Sequence, residues 1–202
     1  DASLLARLAT TVEQATAAFD AYDYARALNV TESFFWQFTD DYVELIKDRA
    51  YGGHGEAEQA SVVAALATTL DSLLRLLAPF QPFATEEVWS WWRTGSVHRA
   101  PWPGLESEAA GLRAAAEGGD PQVLAVVAQV LGRVRKAKSE AKVKQRTAVT
   151  SAVISGPAAQ LEQLRAGLED LQAAGNAADL TLTDAEGELA VSDVQLEEAP
   201  QA

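Results

Sequence analysis

The 202-residue chain has no cysteine, no methionine and only two histidines, and each shortage closes a class of chemistry. Without cysteine there are no disulfides, thiolate metal ligands or thiol nucleophiles, a composition at home in the cytosol. His54 and His98 each stand apart from any second histidine, so zinc sites and Ser-His-Asp triads lack a second member. No run of consecutive apolar residues approaches the roughly 20 that cross a bilayer, and no basic, apolar leader opens the chain. The expectation is a cytoplasmic protein with no membrane partner. Because the chain starts at Asp1 and has no methionine at all, it is expected to be an excised or processed piece.

Positive charge is also scarce. The net charge is -13, a balance that repels phosphate polymers. Its distribution is uneven: between Val123 and Arg146 lie Arg133, Arg135, Lys136, Lys138, Lys142, Lys144 and Arg146 against Glu140 alone, a local excess of +6 on a remainder of -19. An acidic body carries one basic segment.

Hydrophobic content of 48% is enough for a proper core, and its periodicity is mostly helical. Leu5, Leu8, Val12, Ala15 and Phe19 form one stripe. Asp23 is placed to cap a second helix with the stripe Tyr24, Leu28, Thr31, Phe35, Phe38, Tyr42 and Leu45, ending in Lys47, Arg49 and the Gly52-Gly53 stop. A third stripe is Val63, Leu66, Leu70, Leu73 and Leu77, up to Pro79. A stiff Pro-Phe connection follows, with Thr85 expected to cap a short tryptophan-rich helix. Short links between such helices predict an antiparallel bundle over residues 1–104. Residues 105–120, rich in Ala, Gly and Glu, lack a stripe and are expected to be a linker.

Beyond the linker, Asp120-Pro121 predicts a helix start and Leu124, Val127, Leu131 and Val134 its buried stripe. A β-branched run from Thr147 to Ile154, a helix from Pro157 to about Ala174 stopped by Gly175-Asn176, and alternating runs near Leu180 and from Leu189 to Leu196 complete a small α+β module over 121–196. Residues 197–202 are expected to be a frayed acidic tail. The predicted fold class is mainly α, a helical bundle followed by a small α+β module.

Few motifs carry chemistry. Gly52-Gly53-His54-Gly55 lacks the Gly-Lys-Ser/Thr end of a phosphate-cradling loop, and Asp40, Asp41 and Glu44 suit an exposed acidic helix face. Of the rings Phe34, Phe35, Trp36, Phe38 and Tyr42, most belong to the core, while Trp36 lies off the main stripe, where a ring can stack on a base. Lys47 and Arg49 fit either a compensated helix dipole or an RNA contact. At 100° per residue Arg135, Lys138, Lys142 and Arg146 share one flank in line with the apolar stripe before them, which predicts either a helix projecting a cationic face or an ordinary solvated one.

The segment from Phe34 to Tyr51, an aromatic helix ending in Lys47-Asp48-Arg49, resembles the helical anticodon-binding domain of class I aminoacyl-tRNA synthetases. Pro79-Phe80-Gln81-Pro82-Phe83-Ala84-Thr85-Glu86-Glu87-Val88-Trp89 resembles the same family's Pro-Phe-x-Pro-Phe-x-Thr-Glu-Glu-x-Trp signature, and Ser96-Val97-His98 leading to Trp102-Pro103 resembles the piece that follows it. Lys136 to Lys142 is similar to bacterial valyl and isoleucyl members. From Gly156 onward the likeness fades.

The resemblance, closest to a valyl synthetase with isoleucyl and leucyl types as alternatives, implies a tRNA ligase. Such a parent uses ATP and Mg²⁺ in a catalytic domain carrying His-Ile-Gly-His and Lys-Met-Ser-Lys-Ser. Neither motif occurs in this sequence, so catalytic residues and cofactors are expected outside it. The implied partners are the tRNA anticodon stem-loop and the parent's catalytic domain. Lys47 and Arg49 are expected near phosphates or bases, Arg135, Lys138, Lys142 and Arg146 along the RNA backbone, and Trp36, Arg93 and Arg99 as further contacts. The rival from another class is a helical protein-interaction module, whose docking surface is expected to be poor in Lys and Arg.

Overall fold

A computed structural model describes residues 1–104 and 106–197. The chain is mainly α with one small sheet, as its periodicity predicts. It divides into two compact units, Asp1–Asp40 with Gly55–Pro121, and Asp41–His54 with the chain from Gln122 onward.

The first unit is a helical bundle. Helix α1 (Ala2–Asp20) buries Leu5, Leu8, Val12 and Ala15, the expected stripe. Helix α2 (Tyr24–Trp36) starts where the Asp23 carboxylate accepts the Arg26 N–H at 3.0 Å. The single long helix expected from Tyr24 onward is interrupted: residues Gln37–Tyr42 form a π-helix. The residues buried here are Phe34, Phe38 and Tyr42, not Phe35, and Tyr24 is exposed. Steps of four residues drift about 40° each on an α-helix, and the wider π turn removes much of that drift.

Helix α5 (Glu56–Leu77) follows the short α3 (Val43–Leu45) and α4 (Lys47–Ala50). It is rotated by one residue from expectation, burying Val62, Ala65, Thr69, Leu73 and Leu76 and leaving Val63 exposed. Among the described helices it alone is long and, by mean hydropathy, apolar enough to cross a bilayer, although polar and charged residues interrupt its apolar run. Here its apolar face packs on α1 and α2.

Helix α6 (Pro82–Ser90) begins on Pro82, so Thr85 lies inside it and donates its hydroxyl to the Gln81 carbonyl at 2.9 Å rather than capping. Trp89 packs with Leu74, Ala78 and Val97. The stretch expected to be a linker contains helix α7 (Glu106–Ala115), which packs on α1. Alanine needs no stripe to be helical, and Leu112, buried, is enough to seat it.

In the second unit α8 (Val123–Glu140) starts two residues after Pro121 and buries Leu124, Val127, Leu131 and Val134 as predicted. Strand β1 (Val149–Gly156) is the centre of a three-stranded sheet, parallel to β2 (Ala177–Asp184) and antiparallel to β3 (Ala190–Leu196). Between β1 and β2 the expected single helix is two, α9 (Ala158–Arg165) and α10 (Leu168–Gly175). The break falls at Gly167, where a Cβ would lie 2.8 Å from a Val127 methyl. Only glycine lets the backbone come that close to α8. Asn176 ends α10 in the left-handed conformation, φ +44°, as its sequence position predicts.

Helix α8 stops with the Lys142 N–H on the Ser139 carbonyl and the Val143 N–H on the Lys138 carbonyl. These are the two bonds of a Schellman end, whose left-handed position glycine normally fills. Lys142 holds it at φ +56°. Replacing Lys142 by Gly should therefore stabilise the protein by about 1 kcal/mol, seen as a Tm roughly 2–4 °C higher; an unchanged or lower Tm would show that Lys142 is unstrained.

Candidate nucleic-acid interface

The Lys47 and Arg49 helix end is built inside the second unit. Arg49 is only 9% exposed and donates from Nε and Nη2 to the two Asp170 carboxylate oxygens at 2.7 and 2.9 Å. This fork-to-fork geometry fixes both planes. Arg49 is thus a clamp on α10, and its burial corrects the expected surface position. Beneath it, burial pushes the Tyr42 phenol far above its usual range; Arg49 opposes that shift and Asp170 adds to it.

Lys47, two residues before the clamp, is exposed. Its ammonium meets Glu44 Oε1 at 2.5 Å, and Arg135 reaches Glu44 Oε2 at 3.3 Å. The hydrogen bond from Lys47, then the two positive charges, hold the Glu44 carboxyl below its ordinary range. Glu44 therefore joins two cations from different elements into one surface row. His54 closes the following loop, its ring nitrogens 3.0 Å from Asp48 and 3.6 Å from Glu169.

The basic segment is not a projecting helix. Lys138 is 1% exposed, and its ammonium donates to the carbonyls of Gln145 at 3.0 Å and Gly175 at 2.6 Å. Gly175 ends α10, so the charge also meets the negative end of that helix. Loss of solvent, with Arg135 nearby, lowers the Lys138 pKa. This buried knot corrects the expected surface role and fixes the loop that follows it. Gln145 folds back to donate to the Arg135 carbonyl and to the Ser139 hydroxyl, and Asn176 donates to the Arg146 carbonyl at 2.9 Å. Lys142, Lys144 and Arg146 all remain exposed on this loop. They lie past the end of α8, so no helical flank aligns them with Arg135.

The other expected residues lie in the first unit. Trp36 is 54% exposed, its indole N–H 3.5 Å from Glu32 and its ring edge-on to Phe35. Arg93 is held by Asp71 at 2.8 Å and lies over the Trp92 ring at 4.6 Å. Arg99 is exposed in a 3₁₀ turn, Val97–Arg99. Among the described residues no group of three or more His, Cys, Asp or Glu is placed to hold a metal ion.

The family described as the anticodon-binding domain of tRNA ligase matches residues 1–154. This chain belongs to that family. It is similar to the valine–tRNA ligase of Leifsonia xyli subsp. xyli (strain CTCB07), 47% identical over 202 residues, all of this chain and 22% of that protein. It is 53% identical to that of Thermobifida fusca (strain YX) over 197 residues, 97% of this chain and 22% of that protein. The valine–tRNA ligase of Bifidobacterium longum (strain NCC 2705) is 42% identical over 214 residues, 100% of this chain and 23% of that protein. The chain spans about a fifth of the length of these relatives.

All nine expected contact residues of this anticodon-binding domain fall inside the matched span, whereas Asp170 lies beyond it. Asp170 was not anticipated from the sequence, since nothing local signals a partner 121 residues away, and Glu44 was read only as part of an acidic helix face. If Arg49 is a clamp, Asp170→Ala removes the bidentate partner of a nearly buried charge and should cost about 3 kcal/mol. Thermal unfolding should then shift down by roughly 6–12 °C; a shift under about 2 °C would mean that the pair holds nothing together.

Proposed function

We propose that this chain recognises the anticodon stem-loop of a tRNA as part of a valine–tRNA ligase, whose catalytic domain uses ATP and Mg²⁺ to attach valine. The observation that carries the reading is a loop of three exposed cations, Lys142, Lys144 and Arg146, hung from the buried Lys138 ammonium in a chain of the anticodon-binding family. A loop fixed in this way offers its charges without first losing backbone entropy. Similarity to valine–tRNA ligases at 42% to 53% identity favours valine over isoleucine or leucine as the amino acid.

The roles divide by exposure. Lys142, Lys144, Arg146, Lys47 and Arg135 contact RNA phosphates and set its register. Arg49 and Lys138 position them from inside. In the first unit Trp36, Arg93 and Arg99 contribute further contacts. Residues 1–104 and 121–196 are the two functional parts, and bases splayed from the anticodon loop supply the discrimination, since phosphates alone carry no sequence. A protein-interaction module is favoured by one observation, the exposure of Phe83 (90%) and Trp91 on the α6 side. A cationic loop is the wrong chemistry for such a surface.

Binding of the 202-residue chain to a valine-tRNA anticodon stem-loop, measured across a salt series, tests this directly. Affinity should fall linearly in log–log form, and joint charge reversal of Lys142, Lys144 and Arg146 to Glu should flatten the slope by about 2–3. Binding no tighter than to a scrambled loop, or a slope unmoved by the reversals, would overturn the proposal.

A further inference from the structure

The exposed rings of the two units differ in electrostatic setting. On the α6 side Phe83, Glu87 and Trp91 follow at four-residue spacing, and the Trp91 indole N–H donates to Glu87 at 3.1 Å. A phosphate strand approaching those rings meets a carboxylate. Tyr51, in the second unit, has the opposite neighbour. Its backbone N–H donates to the Lys47 carbonyl at 3.1 Å, so the two side chains leave one face a turn apart. Tyr51 is 88% exposed, and its side chain has no hydrogen-bonding or ring partner among the described residues.

The ring stands on a fixed base. Two residues before it, Arg49 is clamped bidentate to Asp170. Immediately after it, the Gly52 N–H binds the Arg49 carbonyl at 3.0 Å and the Gly53 N–H binds the Asp48 carbonyl at 2.9 Å, with Gly52 at φ +89°. The Asp48 carboxylate fills the space a Gly53 Cβ would need and pairs with His54. A large apolar ring held out in water gives up the stabilisation that burial would bring, while the chain around it is tied down on both sides. Such a mounting is preorganised for a flat ligand.

We propose that Tyr51 is the stacking platform for an unpaired base of the bound RNA, with Lys47 taking the phosphate beside it. The inference rests on the RNA-binding reading above. Stacking accepts the π-face of any base and needs no hydroxyl, so Tyr51 supplies affinity for an unstacked nucleotide while neighbouring polar groups choose which one. The phosphate and the base are then met by two side chains one helical turn apart.

The test uses the full chain and an anticodon stem-loop carrying 2-aminopurine at successive loop positions, whose fluorescence falls on stacking. Wild type should quench at one position. Tyr51→Ala should abolish that quench and weaken binding about tenfold without altering the salt slope, whereas Tyr51→Phe should match wild type and Lys47→Ala should lower the slope by about 1. An abasic site at the quenched position should erase the difference between wild type and Tyr51→Ala. If wild type binds the stem-loop but Tyr51→Ala binds and quenches equally, the platform is disproved and RNA binding stands. If wild type does not distinguish the stem-loop from a scrambled loop, both readings fall.

Discussion

The bidentate pair between Arg49 and Asp170 is the contact on which the candidate interface depends. Removing two charges from water is costly, and their attraction inside a protein barely repays it. What such a pair supplies is geometry. In the second unit it fastens the segment Asp41–His54 to α10, and everything that segment displays takes its position from the clamp. Lys47 stands before it, Tyr51 and the Gly52 turn after it, and Glu44 carries the row across to Arg135 on α8. Lys138 repeats the principle, a buried cation on two carbonyls that settles where three exposed ones sit. In both cases a positive charge inside arranges positive charges outside.

That arrangement reconciles an acidic protein with the proposed RNA partner. A net charge of -13 repels a polyanion from most of the surface, so encounters survive where the cations are concentrated. The acidic remainder thereby contributes to orientation. Within the cationic row Glu44 has a double effect: it aligns Lys47 with Arg135 and reduces their combined charge, which favours registered contact over indiscriminate adhesion to phosphate.

Much of the architecture was legible in the sequence because single stripes had no competitor. The stripe of α8, the three strands and the Asn176 stop follow from period and turn chemistry alone. Helix α5 was misphased for a definite reason: Val62 and Val63, Leu73 and Leu74, and Leu76 and Leu77 are adjacent pairs, so the period fits two faces equally. The π-helix was hidden because its extra residue per turn leaves no compositional mark. Helix α7 was hidden because alanine is helical without being amphipathic. At the interface, helical geometry correctly put Lys138 in line with Leu131 and Val134, but that face stays buried to the helix end instead of turning to solvent. The burial of Arg49 was missed for the converse reason, since its partner is remote in sequence. Cations can be listed from a sequence, whereas which of them are exposed is a property of the packing.

The measurement that tests the clamp most directly is a double-mutant cycle in anticodon discrimination. Binding of cognate and base-substituted stem-loops is compared for Arg49→Ala, Asp170→Ala and the double variant. If Arg49 acts only through Asp170, each single change should reduce discrimination by the same factor and the double should be no worse than either. Loss of discrimination with Arg49→Ala alone, while Asp170→Ala reads the anticodon normally, would show that Arg49 acts other than through Asp170 and contradict the account.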